Sequence, residues 1–287
     1  MSDATAIFER ERPLLRRLAY RMLGSVSEAE DMVQDAWLRW DRAGVMPDNP
    51  GAWLVQTVTR LCLDRLKSAR ARRETYVGPW LPEPLIEELT DDPVERAEDV
   101  SVAFLLALER LSPLERAVFL LHDVFDQDYA AVAKALGRAE PAVRQLAARA
   151  RTHVQDARPR FTVPQDKAVK LAAAFMKAAA SNDMEGLSSL LAEDAILISD
   201  GGGKRPAALR PMIGRDDVML LLRGLAMKGA WESHPLAIRP VLINGLPGAV
   251  FEAMDGVQTV AFEAGDDGKL SAIYIMRNPD KLGHVRA

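Results

Sequence analysis

Along the first 75 residues apolar positions recur at helical spacing. Leu14, Leu15, Leu18, Tyr20 and Met22 run up to Gly24, which suits a left-handed C-terminal cap. A second helix is predicted from Ser27, which with Glu30 reads as a Ser-x-x-Glu capping box, and its apolar stripe is Val33, Ala36, Trp37 and Trp40. A third follows Pro50, with Trp53, Leu54, Val58, Leu61 and Leu63 inward and Arg60, Lys67, Arg70 and Arg73 outward. Helical patterning resumes from Pro93 to about Val154, with a capping box at Ser112 and Glu115 and Pro113 in the first turn. Within it Asp128 caps a short helix carrying Tyr129, Val132, Ala133 and Leu136, Gly137 ends it, and Pro141 opens a helix with Val143, Leu146, Ala147 and Ala150 inward. A small residue, a turn glycine and a branched residue at Ala133, Gly137 and Val143 let two helices cross closely, which predicts a helix-turn-helix.

The period changes around Pro159 to Pro164. Residues 164–180 predict an amphipathic helix, 181–200 a helix and a first strand, and about 216–227 a further helix. Ala237–Ile243, Ala249–Met254, Thr259–Ala264 and Leu270–Arg277 alternate as strands, the last two joined by a GDDGK turn. The expected organisation is a helical domain at 1–76, an acidic, proline-containing linker at 77–100, a second helical domain at 101–158 and an α+β domain at 160–287.

Charge has to be read locally. The formal net charge of -4 is not that of a simple nucleic-acid binder, which displaces counterions with Lys and Arg. Yet Arg60, Arg65, Lys67, Arg70, Arg72 and Arg73 form one basic stretch and Arg138, Arg144, Arg149, Arg151, Arg158 and Arg160 another. The segment between them is acidic, with Glu83, Glu87, Glu88, Asp91, Asp92, Glu95, Glu98 and Asp99. The last helix of the helix-turn-helix would present Arg144, Gln145, Arg149 and Arg151 to a major groove. Helical hairpins with a turn glycine also occur in ordinary bundles, and a basic edge also serves as a solvated face, so these residues alone leave DNA binding open. The single cysteine, Cys62, excludes an intrachain disulfide, and the charged N-terminus and absence of a long apolar run predict a soluble, intracellular protein without a membrane span. His122, His153, His234 and His284 are scattered without ligand spacing, so neither a metal nor a cofactor is expected.

Three strings carry a resemblance: AEDMVQDAWLRW at 29–40, NPGAWLVQTVTRLCLDRLKSARARRE at 49–74 and LERLSPLERAVFLLHDVFDQDYAAVAKALGRAEPAVRQLAARAR at 108–151. Together they resemble the extracytoplasmic-function sigma factors. The resemblance implies core RNA polymerase, through its largest-subunit clamp coiled coil and its flap, and promoter DNA as partners. It assigns polymerase contacts to Asp31, Gln34, Asp35, Trp37 and Leu38, the -10 element to Arg60, Arg65, Lys67, Arg70, Arg72 and Arg73, and the -35 element to Arg138, Arg144, Gln145, Arg149 and Arg151. This sequence departs from the family pattern at Arg60, where many relatives have asparagine, at Ala131, where glutamate is usual, and at Ala139, where a serine cap worth about 1 kcal/mol commonly sits.

The last 125 or so residues resemble the cone-shaped α+β fold of SnoaL-like and NTF2-like proteins, so the chain is expected to be multidomain, two all-α sigma domains followed by an α+β domain. A sigma-J-like subgroup with this fusion carries three signatures. Here they stand as Trp80, Leu81, Pro82, Glu83 and Pro84; Asp200, Gly201, Gly202, Gly203 and Lys204; and Asn278, Pro279, Asp280, Lys281 and Leu282. The resemblance implies regulation in cis, the three signatures forming one contact surface, with no covalent chemistry. Two other readings stand beside it. An enzyme would use Asp200, His234 or Tyr274 as a general base; a sensor would hold a small ligand in an apolar pocket lined by Trp231, Met227 and Met254.

Overall fold

The computed structural model describes residues 3–42, 47–73, 75–88, 101–155, 163–228, 237–253 and 255–286, with backbone alone at a few of them, 69–73 included. It divides into two compact units, Met1–Thr75 with Ala103–Arg158, and Tyr76–Val102 with Pro159–Ala287. The two helical segments therefore pack as one unit, and residues 77–88 of the segment read as a linker go with the C-terminal one.

In the helical unit α1 (Asp3–Leu23), α2 (Val26–Arg42) and α3 (Pro50–Arg73) bury Leu15, Leu18, Met22, Val33, Ala36, Leu54, Val58 and Cys62. Gly24 ends α1 with φ 67° and donates its N–H to the Tyr20 carbonyl at 2.7 Å. The cap of α2 differs from the expected one. Ser25 Oγ accepts from the Glu28 amide at 3.1 Å, and Glu30, the residue meant to complete a box with Ser27, pairs instead with Arg16 of α1 at 2.6 Å. After α4 (Val102–Glu109), α5 (Pro113–Phe119) opens with the anticipated box: Ser112 Oγ accepts from the Glu115 amide at 3.3 Å and Glu115 Oε2 accepts from the Ser112 amide at 3.0 Å. A π-helical turn at Leu120–Val124, which the apolar pattern does not show, widens the end of α5. α6 (Tyr129–Leu136) is capped by Asp128, ends at left-handed Gly137 (φ 63°), and is followed by α7 (Glu140–Gln155). Val132, Ala133, Val143 and Ala147 are buried between them.

The second unit is α+β. Its strands are β1 (Ile86–Glu88), β2 (Leu191–Asp200), β3 (Met212–Ile213), β4 (Ala237–Ile243), β5 (Leu246–Ala253), β6 (Gly256–Ala264) and β7 (Leu270–Met276), in the order β1-β4-β5-β6-β7-β2-β3. Among the described strands only the β2–β7 pair is parallel. Asn244 and Gly245, both at positive φ, make the two-residue turn between β4 and β5, an Asn-Gly hairpin turn. α8 (Gln165–Ala180), α9 (Met184–Leu190) and α10 (Arg215–Met227) supply the helical layer of a core made by Phe175, Leu187, Leu197, Val218, Leu222, Phe262 and Ile273. Alternation puts Val250, Thr259, Ala261, Tyr274 and Met276, also buried, on the other face. Among the described residues no helix is long and apolar enough to cross a membrane.

Burial raises the Glu115 carboxyl pKa, but the Ser112 side-chain and backbone donors and Arg149 outweigh it and hold the value below the ordinary one. A depressed folded-state value stabilises above the unfolded pKa and is lost as pH falls through the folded one. Ser112→Ala should therefore destabilise the chain by about 1 kcal/mol near neutrality in urea melts. The stability advantage of the native chain over Glu115→Gln should shrink as pH is lowered below the ordinary carboxylate range.

Candidate functional site

The three signature pentapeptides, far apart in sequence, meet at one carboxylate. Asp200 ends β2 and is 0% exposed. A buried carboxylate needs donors for both oxygens, and Asp200 has four. Oδ1 accepts from Tyr76 Oη at 2.6 Å and the Gly202 amide at 3.0 Å; Oδ2 accepts from the Leu81 amide at 2.8 Å and Lys281 Nζ at 2.7 Å. Its own carbonyl accepts from the Arg277 and Asn278 amides. Lys281, 8% exposed, also donates to the Leu81 carbonyl at 2.6 Å and lies 4.3 Å from the Trp80 ring centroid and 4.9 Å from that of Tyr76. Asn278 donates from Nδ2 to Tyr76 Oη at 2.8 Å and caps the short 3-10 turn Pro279–Lys281 with Oδ1. Burial, reinforced by the hydrogen bond to Asp200, raises the Tyr76 pKa, so the phenol stays a donor.

The glycines are required by this closeness. A Cβ on Gly201 would stand 2.1 Å from the Arg205 carbonyl oxygen, and one on Gly202, at φ 60°, 2.2 Å from Asn278 Nδ2. Lys204, the remaining charged residue of its string, makes an exposed ion pair with Asp280 at 2.6 Å. Downstream of the clasp the captured segment continues along the sheet. The His284 imidazole bonds the Pro84 carbonyl at 2.8 Å, Asn244 exchanges hydrogen bonds with Leu85, and Ile86–Glu88 pairs with β4 as an edge strand, where Arg239 pairs with Glu88. Tyr76, Asn244 and His284 were not singled out from sequence. Only the Asn-Gly turn carried a signal for any of them.

The same geometry bears on the residues named for other roles. Both oxygens of Asp200 are engaged. Tyr274 donates to Glu263 at 2.7 Å, and burial raises the pKa of both groups, the Tyr274 hydrogen bond partly offsetting the rise at Glu263. Leu81, Pro82, Pro84, Thr259, Ala261, Tyr274 and Met276 help to line a void of about 20 Å³, room for a single water. Met227 is 89% exposed. His234, Trp231 and Met254 lie outside the described residues.

In the helical unit Asp31, Gln34, Asp35 and Leu38 form an exposed ridge on α2, with Leu38 41% exposed. Trp37 is half-buried against Phe8, its ring centroid 4.9 Å away. On α3, Arg65 is braced on Glu28 at 2.6 Å, Lys67 pairs with Asp64, and exposed Arg60 points its Nε at the Ala135 carbonyl, 3.4 Å away. The side chains of Arg70, Arg72 and Arg73 lie outside the described set. Arg138, Arg144, Gln145 and Arg149 are exposed on α7 and the turn before it; Arg144 stacks on Tyr129 at 4.3 Å and pairs with Glu140. Arg151 is held by Asp123 at 2.6 Å and by Tyr129 Oη at 3.0 Å.

A three-helix segment with an exposed acidic-apolar ridge packs with a helix-turn-helix that displays arginines and a glutamine, and both segments match sigma-factor families. Residues 7–72 match the family model for sigma-70 region 2 and residues 101–154 that for sigma-70 region 4. The chain belongs to the extracytoplasmic-function (ECF) RNA polymerase sigma factors, not to an enzyme family. It is 41% identical over 291 residues to the ECF RNA polymerase sigma factor SigJ of Mycobacterium tuberculosis, spanning 96% of this chain and 92% of that protein. It is 33% identical over 294 residues to the probable ECF RNA polymerase sigma factor SigI of the same organism, spanning 99% and 96%. The crystal structure of M. tuberculosis SigJ superposes with a TM-score of 0.78 at 37% identity, covering 97% of this chain and 98% of that one.

Removing one partner of a buried ion pair leaves an uncompensated charge. Lys281→Met should destabilise the C-terminal unit by roughly 3–5 kcal/mol and accelerate exchange of the Leu81 amide in hydrogen-exchange mass spectrometry. Lys204→Met, at a pair more than half exposed, should cost less than about 1 kcal/mol.

Proposed function

We propose that this sigma factor is regulated in cis by its own C-terminal domain, which captures the segment joining region 2 to region 4. The observation that carries this reading is the convergence of Tyr76, Leu81, Lys281 and Gly202 on Asp200. Docking residues 76–88 on the sheet shortens the free chain between the two promoter-reading regions. Tether length sets the effective concentration at which the second region meets its element once the first is bound. Among the three strings the buried Asp200–Lys281 pair does the holding, and Lys204–Asp280 is an accessory.

In the same reading the α2 ridge of Asp31, Gln34, Asp35 and Leu38, with Trp37 behind it, docks on the polymerase clamp coiled coil, and region 4 meets the flap. The α3 edge from Arg60 to Arg73 holds the -10 strand. Arg138, Arg144, Gln145 and Arg149 read the -35 element, where arginine and glutamine suit bidentate base contacts, while Arg65 and Arg151 brace the two folds through Glu28 and Asp123. The site of action is the cytoplasm, where polymerase and promoter are.

Purified holoenzyme tests it by run-off transcription. Asp200→Asn should lower promoter-specific output several-fold, since effective concentration falls roughly as the -3/2 power of tether length, and Lys204→Ala should leave it within about twofold. Unchanged output of Asp200→Asn at every promoter would sink the regulatory reading, and failure of the native chain to yield any promoter-specific transcript would refute the promoter assignments.

A further inference from the structure

Helix α10 turns one face to the core of the α+β unit and leaves another that its own unit does not use. Val218, Met219 and Leu222 are buried in that core. At about 100° per residue Asp216, Leu220, Arg223 and Met227 fall within about 60° of one another on the outer side. All four are exposed, Leu220 by 70% and Met227 by 89%. Bulky apolar side chains lined up on a solvent-facing stripe mark a contact surface. The charges between them are unmatched. Among the described residues neither Asp216 nor Arg223 has an ion-pair partner. Seven residues of helix, ~10 Å, separate the two, whereas a pair within one helix needs a spacing of three or four residues. Gly224 adds to the pattern. A glycine inside a helix costs about 1 kcal/mol against alanine, and a Cβ at this position would meet nothing within 4 Å. Packing within the chain therefore gives no reason for it, but the close approach of a second backbone does.

The order acid, leucine, arginine, methionine along the stripe is complementary to its own reverse. With two copies of α10 laid antiparallel and Leu220 at a two-fold axis, Asp216 of each copy comes opposite Arg223 of the other. The two Leu220 side chains cover one another, and each Met227 lies across the first turn of the opposing helix. Such an isologous contact uses one patch twice, and antiparallel helix dipoles add to it. We propose that the protein self-associates through α10 into a two-fold dimer, with Leu220 at its centre and two Asp216–Arg223 ion pairs flanking it. A helix of ~20 Å offers a contact at the small end of protein interfaces, below about 1,200 Å², so the dimer is transient and depends on concentration. None of these residues is among those assigned above to the clasp, to polymerase or to promoter DNA, so the dimer stands or falls independently of those assignments.

Charge exchange tests both the surface and its register. Sedimentation velocity of the full chain over about 1–500 µM, a range that brackets weak association, should show a monomer giving way to a dimer. Asp216→Lys or Arg223→Glu alone sets like charges opposite each other on both sides of the axis and should raise the dissociation constant about tenfold or more. A one-to-one mixture of the two variants restores both ion pairs and should recover a dimer within about threefold of native affinity. The changed side chains are exposed, and circular dichroism confirms that each variant is folded. Dimerisation that survives both single variants places the contact elsewhere and overturns the proposal, as does a mixture that stays monomeric. A native chain that is monomeric throughout also overturns it; if Leu220→Glu then weakens binding to core polymerase, the stripe belongs to that partner instead.

Discussion

A carboxylate withdrawn from water must be matched donor for oxygen, and in the C-terminal unit that requirement falls on Asp200. Its two oxygens take a phenol, two backbone amides and an ammonium, and the ammonium, itself buried, is in turn lodged between two aromatic rings and a carbonyl. Much of the neighbourhood follows. The backbone after Asp200 must turn back at once to offer the Gly202 amide, which leaves no room for a Cβ at 201 or 202. The chain after β7 must bring Lys281 inward, which the Asn278 cap and Pro279 arrange. The segment from Tyr76 to Pro84 must run over the sheet, because its Leu81 amide and carbonyl are both used. A segment that would otherwise read as solvated linker becomes part of a folded unit and gains an edge strand.

Region 2 and region 4 pack as one helical unit. Their contact includes side chains that meet backbone carbonyls across it, Gln56 and Arg60 at the end of α6 and Arg116 at Met22. The last carbonyls of a helix have no partner within it, so a donor from the neighbouring region can satisfy them.

The helices, the helix-turn-helix and the order of an all-α part before an α+β part were legible in the amino-acid sequence, because amphipathic periodicity, the Ser112–Glu115 box, the Asp128 cap and Gly137 act within a few residues of themselves. So was the meeting of three short strings, though only through resemblance. Where a long-range partner intervened, local reading slipped. Glu30 was drawn off to Arg16, and the cap of α2 moved to Ser25. β1 and β3 are too short to show alternation and exist because neighbouring strands accept them. Arg144 and Arg151 look alike on α7, and the π-helical turn that places Asp123 beside Arg151 separates them. Sequence by itself thus determined which of the longer segments are helix or strand, since amphipathic periodicity and caps depend on neighbours along the chain. Only the tertiary structure decided that Tyr76 and Lys281 close on Asp200, 124 and 81 residues away, and that Gln56 caps α6, because the cost of burying a charge or a carbonyl is settled by whichever distant donor the fold brings within 3 Å or so.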